Sequence, residues 1–122
     1  MENLKKIRWK QRFENYERAY GTFAKYVNLP DPTELERAGI IQLFEMTFEL
    51  AWKVLKDYLE SEGYRPNSPR ETIKEAFRAG MISKGDEWLE ALDSRNLSAH
   101  TYDEKNAAEA AENIRERYAP LL

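Results

Sequence analysis

The sequence predicts an all-α fold, an up-and-down bundle of four or five helices joined by short loops. Three observations lead to it. Apolar residues recur at steps of three and four along most of the chain, no stretch shows the strict alternation of a half-buried strand, and proline, glycine and capping residues punctuate the pattern at helical intervals. The 122 residues, 42% hydrophobic and 34% charged, suit a single domain over 1–122 with one modest core. No internal repeat is present.

Helix 1 is expected from Arg8 to Asn28, where Trp9, Phe13, Tyr16, Tyr20, Phe23 and Val27 keep the helical period. Pro30 and Pro32 interrupt it, because each disfavours the helical region for the residue before it. Helix 2 is expected from about Thr33 to Glu62, closed by Gly63. Its apolar residues crowd every side except a narrow stripe of Glu45, Glu49, Lys53, Lys56 and Glu60. Such a rod needs cover from several sides, from the other helices or from a second subunit.

Ser68-Pro-Arg-Glu71 reads as the start of helix 3, with serine at the N-cap, proline at the first helical position and glutamate at the third. That helix runs to Gly80. Asp86 is the expected cap of helix 4, whose buried stripe is Trp88, Leu89 and Leu92. Asp103 is the expected cap of a last helix carrying Ala107, Ala111, Ile114 and Tyr118 inward. Helix-spaced aromatics are usually core, and Trp9, Phe13, Phe44, Phe48, Trp52 and Trp88 are assigned there.

Composition narrows the chemistry. There is no cysteine, hence no disulfide and no thiolate, and the one histidine, His100, leaves too few ligands for an ordinary zinc centre. Glu45 and Glu49 stand one turn apart as a magnesium site would ask, yet Lys53 at the next turn fits an ion-paired stripe better. No glycine-rich phosphate loop, nucleophile elbow or Ser-His-Asp order occurs. No metal and no cofactor are therefore expected. The net charge of −3 argues against general nucleic-acid binding. Local basic runs remain at Lys5, Lys6, Arg8, Lys10 and Arg12, and at Arg65, Arg70, Lys74 and Arg78. No uncharged run reaches the ~18 residues of a membrane span. The beginning of the sequence lacks the apolar stretch of a secretory leader, so a cytoplasmic location is expected.

One segment concentrates chemistry: Arg95-Asn-Leu-Ser-Ala-His100-Thr-Tyr102. Five residues of ideal helix advance about 500°, which sets Arg95 and His100 some 140° apart. Either helix 4 ends before His100, or two subunits assemble the working pair. A purely structural alternative has His100 bridging helix ends and Arg95 paired with Asp93, Asp103 or Glu104.

This segment resembles the R-x4-H-x-Y signature of HEPN-domain proteins, in particular the HepT-like toxins and the nucleotidyltransferase substrate-binding family. Arg8-Trp-Lys-Gln-Arg-Phe13, Phe44-Glu-Met-Thr-Phe-Glu-Leu-Ala-Trp-Lys53, Ser68-Pro-Arg-Glu71 and Ala76-Phe77 look like that family in the same order. The resemblance implies a bundle of HEPN type that forms a homodimer and acts with a separately encoded minimal nucleotidyltransferase, as its substrate-binding subunit and in a toxin–antitoxin arrangement. It implies no nucleotidyl transfer by this chain alone. It also implies an alternative, a metal-independent ribonuclease acting on RNA with Arg95 and His100, silenced when the partner adenylylates Tyr102. A non-catalytic helical adaptor is the third reading.

Overall fold

The computed structural model describes residues 2–98 and 104–122, and the side chains of 7–96 and 108–122. Five α-helices make up the described chain: α1 (Glu2–Tyr26), α2 (Glu34–Ser61), α3 (Pro69–Arg78), α4 (Gly85–Ser98) and α5 (Glu104–Asn113). A π-helical turn (Ile114–Tyr118) and a 3-10 turn (Ala119–Leu121) follow. The all-α bundle expected from the sequence is the observed architecture.

The two longest helices form an antiparallel hairpin. Phe23 meets Phe44 near the connecting loop, with centroids 6.4 Å apart, and Trp9 meets Tyr58 edge-on at 5.4 Å near the other end. α2 is the axis of the molecule, touching α1, α3, α4 and α5. Its buried residues Ile40, Phe44, Phe48 and Ala51 join Phe23, Ile73, Trp88, Ala91, Leu92, Ile114 and Tyr118 in one core. The apolar crowding of α2 is thus largely met within the chain, although Met46 and Leu35 remain exposed.

Local signals fix the helix ends. Thr33 closes a full capping box: its hydroxyl accepts from the Glu36 amide at 3.1 Å, and its own amide donates to Glu36 Oε1 at 2.8 Å. At α3 the Ser68 hydroxyl accepts from the Glu71 amide, while the Glu71 carboxylate takes the amide of Asn67 rather than that of Ser68. α2 and α3 both end in a glycine of positive φ, Gly63 at 96° and Gly80 at 76°. The next amide reaches back to the last turn in each case, Tyr64 to the Leu59 carbonyl and Met81 to that of Ala76.

Four expectations are revised. α1 starts at Glu2, well before Arg8, because Leu, Lys and Glu favour helix beyond the apolar stripe, and it ends at Tyr26, two residues early. α4 starts at Gly85, so Asp86 lies in its first turn, where negative charge suits the helix dipole, rather than at the cap. α3 stops at Arg78, with Ala79 and Gly80 forming its cap. Phe13, expected in the core, is 41% exposed. The Asp103 cap lies outside the described residues.

Candidate functional site

Arg95 sits in the last turn of α4. Nη2 donates to Glu49 Oε2 at 2.7 Å and Nη1 donates to Asn96 Oδ1 at 3.0 Å. Glu49 comes from the middle of α2, 46 residues away in sequence. The same carboxylate accepts from Trp52 Nε1 at 3.0 Å and stands 3.2 Å from Lys53 Nζ. One carboxylate therefore gathers an arginine, a lysine and an indole, drawn from two helices.

Helix geometry puts these groups together. Residues 49, 52 and 53 share one face of α2 because they are three and four apart. The C-terminal turn of α4 passes that face while Trp88, Ala91 and Leu92, further back, stay in the core. Arg95 and Glu49 are each 30% exposed, so the pair is half-sheltered. Burial pushes the Glu49 carboxyl up, but the Trp52 and Lys53 hydrogen bonds and the charges of Arg95 and Lys53 outweigh it. The net result is a carboxylate held below the ordinary glutamate range.

Of the carboxylates considered for Arg95, Asp93 is engaged by Arg70 of α3 at 2.6 Å. The carboxylate on Arg95 that sequence reasoning missed is Glu49. The i, i+4 stripe signalled the pairing of Glu49 with Lys53, which forms, but no local pattern reports a contact across 46 residues. His100 and Tyr102 lie outside the described residues, as do the side chains of Lys5, Lys6 and Glu104.

The basic positions divide. Arg65, Lys74 and Arg78 border one cleft of about 420 Å³ with Tyr64, Glu71 and Glu75, and Arg78 is paired with Glu75 at 2.8 Å. Arg70 turns to Asp93, and Arg12 pairs with the buried Asp57 at 2.9 Å. A second, apolar groove of about 680 Å³ lies between α1 and α2, bordered by Trp9, Phe13, Val54, Leu55 and Tyr58. Around the α2 axis Val54, Leu55 and Tyr58 point roughly 140–240° away from Glu49, so this groove and the Arg95 cluster occupy opposite sides of the helix. Among the described residues no three His, Asp or Glu side chains gather as a metal site, and no helix is long and apolar enough to cross a membrane.

The family described as "Nucleotidyltransferase substrate binding protein like" matches residues 11–122. A protein of Haemophilus influenzae named "Probable ribonuclease HepT" is 33% identical over 75 residues, which is 57% of this chain and 51% of the relative. The chain thus spans about half the length of that curated relative. A crystal structure from Thermus thermophilus superposes with a TM-score of 0.80 at 37% identity, covering 87% of this chain and 91% of that one.

Proposed function

Because the chain belongs to the HepT-like nucleotidyltransferase substrate-binding family, we propose that it is the substrate-binding partner of a separately encoded minimal nucleotidyltransferase, in a toxin–antitoxin arrangement. What carries this reading is the family match, which runs from residue 11 to residue 122. On this proposal 1–122 acts as one domain, works as a homodimer in the cytoplasm, and transfers no nucleotide alone. The test mixes the purified chain with a minimal nucleotidyltransferase encoded beside it. Activity that appears only in the mixture supports the reading; equal activity from the transferase alone overturns it.

A second reading has a specific observation behind it, the likeness to a protein named as a probable ribonuclease. Here Arg95 and His100 would act on RNA without a metal. Neutral imidazole takes the proton of a ribose 2′-hydroxyl, or returns one to the leaving oxygen, while the guanidinium stabilises charge growing on the phosphate. Transfer of adenylate from ATP to the Tyr102 hydroxyl, releasing pyrophosphate, would put negative charge beside that pair and exclude RNA phosphate. Expression in a bacterial host distinguishes the readings. Growth arrest and RNA loss that His100→Ala abolishes favour the ribonuclease; no effect from a folded wild type favours the binding subunit.

A further inference from the structure

We propose that Glu49 is the positioning residue for Arg95, fixing the guanidinium where it meets a phosphate of single-stranded RNA. The proposal rests on the reading of Arg95 as the phosphate-contacting group of a ribonuclease.

Arginine is a natural phosphate ligand, but its long side chain carries about 2 kcal/mol of rotamer entropy, part of which is given up when it is held. Here two nitrogens of the guanidinium are already held, by Asn96 of its own helix and by Glu49 of α2. Anchoring the fork at two points sets the plane of the group. Glu49 is braced in turn by Trp52 Nε1 and by Lys53. Trp52 lends its only side-chain donor to this carboxylate.

Stability does not account for this convergence. An ion pair open to solvent contributes roughly 0–1 kcal/mol. Charge balance does account for it. Two cations, Arg95 and Lys53, share the one Glu49 carboxylate with Trp52 Nε1. While Arg95 stays on Glu49, the carboxylate therefore does not cancel the arginine's charge outright. A carboxylate near RNA phosphate also weakens ground-state binding slightly, so its benefit must appear in the chemical step.

The test is single-turnover cleavage of a single-stranded RNA oligonucleotide by the full chain, comparing wild type with Glu49→Gln, Arg95→Lys and the double variant. Glu49→Gln is expected to lower the rate at saturating protein about ten-fold, without weakening half-saturation. In the Arg95→Lys background the same change should cost less than about two-fold, because the group it positions is gone. A Glu49→Gln rate within about two-fold of wild type overturns the proposal, as does an equal loss in both backgrounds, which would mark a merely structural role. Should Glu49→Gln not fold, Arg95→Ala gives a second measurement that keeps the carboxylate. Millimolar guanidinium should restore its cleavage, and an absence of rescue counts against Glu49. Wild type and Arg95→Ala that are equally inert on RNA remove the underlying reading and this proposal together. Loss in Arg95→Ala alone, with Glu49→Gln unchanged, removes only the role of Glu49.

Discussion

The rings of Phe44 and Tyr118 stack with centroids 5.8 Å apart and planes 24° from parallel, which fastens the π-helical turn after α5 to the centre of α2. Tyr118 is 4% exposed and Ile114, one turn earlier, is 1% exposed. Truncating a large buried aromatic costs about 3–5 kcal/mol through lost transfer energy and the cavity left behind. Tyr118→Ala should fall near the lower end, since one face of the ring is covered by the surface residue Arg117, 5.8 Å from the centroid. Denaturant unfolding measures it; a loss under about 1 kcal/mol would mean that the turn is not docked in solution.

Tyr16 donates its hydroxyl to the Leu122 carbonyl at 2.7 Å, and burial, with a smaller contribution from Tyr20, pushes its pKa up to about 12. The folded value lies above the unfolded one near 10. Its contribution to stability is therefore complete below pH 10 and lost as pH rises through about 12. Ultraviolet titration of wild type against Tyr16→Phe should assign to this residue a phenol ionising about two units late. A normal titration would show the hydroxyl to be hydrated.

Phe77 and Gly85 are matched in shape. A Cβ on Gly85 would stand 2.9 Å from Phe77 Cγ, although the ring is 53% exposed and can move. Gly85→Ala gains helix propensity but brings its methyl too close to the Phe77 ring, so it should be near neutral or destabilise by about 1 kcal/mol. In a Phe77→Ala background the clash is absent, and Gly85→Ala should stabilise. Thermal melts of the four proteins give the coupling. Equal effects in both backgrounds would remove the steric explanation.

Asp57 is buried beside Arg12, and burial raises its pKa more than the arginine lowers it. A carboxyl with a raised folded pKa stabilises when protonated, so its favourable contribution is present below the unfolded value and disappears as pH rises through the folded one. Compared with Asp57→Asn, wild type should therefore gain relative stability as pH falls toward the unfolded aspartate value of about 3.9. Unfolding free energies at pH 4 and pH 7 test the sign, and a relative loss on acidification would show that the Arg12 pair dominates.

Much of the fold was legible because its causes are local. The apolar period of α1, the start of α2 near Thr33, the Ser68 cap and the Gly63 stop each act within a turn or two, and each lies in the structure where the sequence put it. The N-terminal reach of α1 and the first residue of α4 were missed because no strong punctuation marks them. The π-helical turn at Ile114 left no local signature either. In the candidate site Arg95 stood out by its residue type and spacing. Glu49 was visible only as one charge in a polar stripe, because its pairing with Arg95 depends on where α4 crosses α2.

α2 also works as a ruler. Thr33 sets its starting angle, and every later side chain inherits that angle at about 100° per residue. One residue inserted between Thr33 and Glu49 would swing the carboxylate away from Arg95 and turn Phe44 or Phe48 out of the core. In this chain, insertions are therefore best absorbed in the connections at 27–33, 62–68 and 79–84, while α2 itself can change letters but not their number.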